Sequence, residues 1–122
     1  MKIEKGYTIE LSRRSRIHVK FSREKKVVLG FSVNFEARLK KEWKPVIRYD
    51  TAHDYTGKIK WRFPHKHTYY KNGKEVITQF KIKDYNLALT YSLKDLRSNF
   101  KQIKILLHME VKYIFLKEAT QK

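Results

Sequence analysis

The chain contains no cysteine, which excludes a disulfide scaffold, a Cys-ligated zinc or iron–sulfur centre and thiolate catalysis. Small secreted domains lean on disulfides, so the absence points to the cytoplasm. A long hydrophobic run is also missing. The most apolar stretch, from Ile103 to Leu116, is broken by Lys104, His108, Glu110 and Lys112, too short and too charged to span a bilayer. The opening residues Met1-Lys2-Ile3-Glu4-Lys5-Gly6 lack an apolar signal region, so neither export nor a membrane is expected. Acidic residues are scarce: 12 Asp and Glu stand against 29 Lys and Arg, a net charge of +17. That balance excludes an acidic-surface enzyme and makes a negatively charged partner the first suspect.

What remains is ample for folding. With 41% hydrophobic and 14% aromatic residues, 122 residues support one packed core of modest size. The expected organisation is a single α+β domain over residues 1–122, with strands over about 7–82, a helix over about 86–109 and a tail over 110–122. Alternation of apolar and polar residues marks strands at Tyr7–Leu11, Arg16–Phe21, Val27–Phe35, Trp43–Tyr49, Lys58–Phe63 and His65–Tyr70. Gly30 suggests a bulge, and Pro45 suggests an edge strand or an irregular start. Lys71-Asn72-Gly73-Lys74 reads as a tight hairpin turn using the positive φ angles that Asn-Gly favours, with Glu75–Ile82 as the return strand. Leu89, Leu93, Leu96, Phe100, Ile103 and Leu107 then step by three or four residues, one apolar stripe on a helix. Asp84 is the stronger N-cap candidate and Asn86 the weaker. The fold class expected is α+β: a twisted antiparallel sheet of about five to seven strands with one long C-terminal helix packed on it. Residues 110–117 fit helix or strand equally.

Residues with reactive side chains concentrate in the middle of the chain. In extended segments Arg48 and Asp50 share a face, and His65, His67 and Tyr69 share a face with Lys66 turned away. If these strands are neighbours, Arg48, Asp50, His53, His65 and His67 meet at one end of the sheet. Two chemistries fit. His65, His67, His53 and Asp50 can act as general acids and bases in metal-independent RNA cleavage, with Arg48 and Lys66 stabilising the phosphate. Alternatively, His65 and His67 with Asp50 or His53 bind a divalent metal, although His-x-His spacing alone is a weak signal. Ordinary solvated or capping roles fit the same spacing. His18 and His108 read as isolated structural residues. Lys58, Lys60, Arg62 and Lys66 alternate with apolar residues and form a cationic stripe leading to the histidines, suited to a phosphate backbone. Tyr69 is a candidate for stacking on a base.

Arg48-Tyr49-Asp50-Thr51-Ala52-His53 followed by Phe63-Pro64-His65-Lys66-His67, a Gly-containing turn and a C-terminal helix resembles the TumE family of toxins from toxin–antitoxin pairs. Related small domains of unknown function share the Arg-x-Asp-x-x-His core. Thr51 stands where that family has Asn, His53 sits one position early, and one His precedes Lys66 where the family has two. The resemblance implies a toxin with a small, acidic antitoxin partner and RNA as target. The leading expectation is therefore a cytoplasmic, toxin-like RNA-binding protein, with metal-independent ribonuclease activity as its catalytic form. The alternatives are a non-catalytic nucleic-acid-binding module, a small metal-binding protein, and an interaction protein whose basic face docks an acidic partner.

Overall fold

A computed structural model describes residues 1–51 and 64–108. Six strands run in chain order: β1 (Lys2–Ser12), β2 (Ser15–Glu24), β3 (Val27–Leu39), β4 (Glu42–Asp50), β5 (His65–Tyr69) and β6 (Glu75–Gln79), followed by the helix α1 (Tyr85–His108). Each strand pairs antiparallel with the next, giving a sheet of order β1-β2-β3-β4-β5-β6. The α+β class with one long helix on an antiparallel sheet is therefore realised. The strand expected at Lys58–Phe63 and the ambiguous segment 110–117 lie outside the described residues.

Alternation divides the sheet into two unlike faces. Ile17 and Val19 of β2, Phe31, Val33, Phe35 and Ala37 of β3, and Ile47 and Tyr49 of β4 are all buried on one face. The helix lies on that face, adding Ala88 and Leu96, both fully buried, with Leu89, Leu93, Phe100, Ile103 and Leu107 packed at the edges. The hydrophobic stripe read from the sequence is thus the contact face. Burying some ten apolar side chains at about 1.5–3 kcal/mol each supplies the main driving force for this layer. The Tyr49 hydroxyl ties the layers together by donating to Asp95 Oδ2 at 2.7 Å.

Local chemistry sets the ends of the elements. Asp84 caps the helix, its Oδ1 accepting from Leu87 N at 3.1 Å. Asn86 is no cap: its Oδ1 accepts from Val28 N and its Nδ2 donates to Lys26 O, fastening the helix start to the β2–β3 hairpin. Pro45 marks an irregular start rather than an edge. β4 is an interior strand, and Pro45 sits where the β3–β4 register shifts between Phe35 and Glu36, so a bulge absorbs its missing N–H. A second shift, between Ser22 and Arg23, falls beside Gly30. The Asn72-Gly73 turn also differs from expectation. Only Gly73 has positive φ (87°), and Gly73 N donates to Tyr70 O at 3.0 Å. That is a type I turn followed by one left-handed residue, a three-residue loop rather than the tighter two-residue one. β1 starts at Lys2, five residues earlier than its alternation suggested, and β6 ends at Gln79, three residues earlier.

Candidate functional site

The opposite face of the sheet is polar because the intervening residues of every strand project there. One register row runs Thr8, His18, Asn34, Arg48, His67 across β1 to β5, each residue directly opposite the next. The adjacent row runs Gly6, Lys20, Ser32, Asp50, His65. β4 and β5 are neighbours, so the two His of the His-x-His pair stand opposite Arg48 and Asp50.

These side chains touch. Arg48 Nε lies 2.7 Å from Asp50 Oδ2, and the same oxygen lies 3.5 Å from His67 Nε2. Asp50 Oδ1 is 3.6 Å from His65 Nδ1. The other nitrogen of His67, Nδ1, is 2.7 Å from Glu75 Oε1. The Tyr69 ring stacks on His67, with centroids 6.3 Å apart and planes 11° apart. Asp50 and His65 are each only 4% exposed and His67 9%.

The electrostatics follow from these contacts. Burial works against charge on Asp50, but the bond to His67 and the charges of His67, Arg48 and His65 outweigh it, holding the carboxyl below its ordinary value. The bond to Asp50 is the main cause that raises His67; burial and Arg48 oppose it, and Glu75 reinforces it. Burial likewise pushes the Tyr69 phenol up, with Glu75 reinforcing and Arg48 opposing. Both carboxylates therefore favour the protonated ring, which in that form directs one N–H at each of them, while Arg48 Nη2 lies 3.4 Å from Nε2 and opposes it. In its protonated form the ring is placed to act as an acid.

Of the residues singled out from the sequence, Arg48, Asp50, His65, His67 and Tyr69 come together. Lys66 does not join them. Strand alternation turns it to the helix face, where its Nζ sits 5.5 Å from the Tyr49 ring centroid, so it cannot share a phosphate with Arg48. His53, Lys58, Lys60 and Arg62 lie outside the described residues. The alternative metal set of Asp50, His65 and His67 lacks a coordinating arrangement. Among the described residues no three or more His, Cys, Asp or Glu are placed to hold a metal ion. Asp50 stands between the two rings and contacts both, where metal ligands would surround an empty point. Thr51, the departure from the TumE pattern, accepts from Phe31 N at 3.0 Å and pins the end of β4 to β3.

Sequence reasoning missed Glu75 and a second cluster. Glu75 was legible by counting forward from the Asn72-Gly73 turn, which sets it opposite Tyr69 and diagonal to His67. His18, read as isolated, has two partners. Its Nε2 lies 2.8 Å from Glu36 Oε1 and its Nδ1 2.8 Å from Thr8 Oγ1. Glu36 Oε1 also accepts from Arg16 Nε at 2.8 Å, and the Arg16 guanidinium lies 3.9 Å from the Trp43 ring centroid.

Among the described residues no helix is long and apolar enough to cross a membrane. No curated protein matches the chain. No solved structure matches it either. Residues 1–105 match the family model described as "Domain of unknown function (DUF7718)", and the chain belongs to that family.

Proposed function

We propose that the protein binds RNA through its basic surface, and that the cluster of Arg48, Asp50, His67 and Glu75 is an acid–base centre for metal-independent RNA cleavage. The observation that carries this reading is the placement of the His67 ring. It is held between two carboxylates beside a guanidinium, on the sheet face away from the helix, in a chain of net charge +17. In the reaction, the 2′-hydroxyl attacks the adjacent phosphorus. Its proton passes to Glu75, the more open carboxylate, and the new O2′–P bond forms as the P–O5′ bond breaks. His67 gives its proton to the departing O5′, and Arg48 offsets the charge that grows on the phosphoryl oxygens. The basic surface, together with the resemblance to TumE toxins, supports a cytoplasmic toxin whose acidic antitoxin neutralises it.

The test is incubation of purified protein with total RNA in excess chelator. Cleavage is expected from the wild type and is lost in His67→Ala with an unchanged circular dichroism spectrum. Wild-type-like cleavage by both His65→Ala and His67→Ala removes the catalytic role. Cleavage abolished by chelator alone transfers the cluster to metal chemistry.

A second reading, a non-catalytic RNA-binding module, is favoured by one observation. Both ring nitrogens of His67 already face carboxylate oxygens, and the residue is 9% exposed. It predicts salt-dependent affinity without turnover.

A further inference from the structure

The polar face carries a groove of about 670 Å³ that shares Arg48 with the cluster. Its remaining polar lining comes from Thr8, His18, Lys20, Ser32 and Asn34, drawn from three further strands. Strands lie about 4.8 Å apart, so the lining spans roughly 14 Å across the sheet. A second depression of about 490 Å³ shares Gly6, Lys20 and Ser32 with the first and continues past Ser22 and Gly30. The floor is low because Gly6, Ser22, Gly30 and Ser32 have small or no side chains on this face.

We infer that this groove is a subsite for single-stranded RNA, taking the nucleotides next to the phosphate held at Arg48. The inference rests on the RNA-binding reading above. Three features select this occupant. Arg48 and Lys20 supply fixed positive charge at two points of the groove, matching successive phosphates. Arg48 Nε lies 2.7 Å from Asp50 and Nη2 3.4 Å from the His67 ring, leaving Nη1 of its fork to meet a phosphate. Between the cations stand hydroxyls, an imidazole and an amide, the groups that read unpaired base edges. Asn34 adds a specific vacancy. Its side-chain oxygen is buried and has no hydrogen-bond partner among the described residues, so its amide gains a bond by turning that oxygen to a ligand. A duplex offers base edges already paired within the helix, and the groove's polar lining would find little to bond.

The test fills the groove without disturbing the sheet. A Cβ built on Gly6 meets only Lys20 Cγ and Val19 O, both at 3.6 Å, which is ordinary contact, and Gly6 does not have positive φ. Gly6→Phe therefore adds a bulky side chain on the groove side without a clash at Cβ or a positive φ to strain. The probe is a fluorescent 12-nucleotide 2′-O-methyl RNA, which has no free 2′-hydroxyl and cannot be cleaved. Fluorescence anisotropy is expected to show binding by the wild type and at least tenfold weaker binding of the duplex form. Gly6→Phe should weaken single-strand binding at least tenfold at an unchanged melting temperature. Lys20→Glu, a second route to the same site, should weaken it similarly, while Lys71→Glu in the distant turn changes it less than twofold. Tight binding that neither Gly6→Phe nor Lys20→Glu reduces overturns the groove and leaves RNA binding standing. Equal affinity for duplex and single strand overturns the occupant. No binding of either form at physiological salt overturns the RNA-binding reading itself and the groove with it.

Discussion

Two Arg–carboxylate–His units occupy the same polar face, and they differ in how they are built and how deeply they sit. In the first, Glu36 receives Arg16 and His18, whose side chains are 29% and 36% exposed. In the second, Asp50 receives Arg48 and His67, and the His67 side chain is 11% exposed. The ingredients are alike, but Glu36 reaches Arg16 and His18 from the neighbouring strand, whereas Asp50 shares β4 with Arg48 and meets His67 from β5. Enclosure differs, and with it the presence of a second carboxylate, Glu75, on the far side of the His67 ring. Water screens the first unit, which behaves as a surface ion pair. In the second the Arg48 side chain is 36% exposed, but Asp50 and His67 are largely withdrawn from water, so those two depend on each other and their shifts are opposite in direction. A motif of residue types therefore does not define a site. The depth at which the sheet seats it does.

The sharpest way to break the contrast is to remove each shared carboxylate. Asp50→Ala leaves Arg48 and His67 facing each other without their anion and should cost about 3–5 kcal/mol in urea unfolding. Glu36→Ala should cost about 1 kcal/mol or less, because its partners are hydrated. Similar losses from both would contradict the contrast. Linkage to pH comes next. His67 is raised on folding, so its contribution is complete below the unfolded value of about 6.5 and is lost as pH climbs through the folded value. Asp50 is lowered, so its contribution is complete above the unfolded value of about 3.8 and is lost as pH falls through the folded value. Stability from the pair is therefore full between roughly pH 4 and 6.5, and denaturation midpoints taken across pH 3–9 should decline on both sides. Nuclear magnetic resonance titration of the ring should place His67 above 6.5, and Glu75→Gln should lower it by removing one acceptor while Asp50 remains. The smallest effect concerns the two faces. Lys20→Ala should reduce the salt slope of single-stranded RNA binding by about 0.7, whereas Lys66→Ala, on the helix face, should leave it unchanged.

Much of this was legible in the sequence because strand alternation is a strict code. The stripe Leu89 to Leu107 gave the helix contact, and the spacing of Arg48 and Asp50 against His65 and His67 gave a shared face once the strands were neighbours. Asp84 declared the helix start through ordinary capping chemistry. Pro45 was harder, since a residue without an N–H fits either an edge or a bulge, and only the partner strand decides. His18 escaped notice because Thr8 and Glu36, ten and eighteen residues away, reach it only through pairing. Depth escaped for the same reason: nothing in the residues around His67 and His18 says which will be enclosed. Lys66 shows the complementary lesson, for alternation already placed it away from the histidines, and charge type alone suggested a shared role.

The central claim is that RNA meets the polar sheet face and its Arg48–His67 end. Backbone amide shift mapping on addition of an uncleavable single-stranded 2′-O-methyl RNA tests it most directly. The account predicts the largest shifts at Thr8, His18, Lys20, Asn34, Arg48 and His67, with the exposed helix residues Lys94, Arg97 and Lys101 unmoved. Shifts concentrated on those helix residues, or none anywhere at physiological salt, would contradict it.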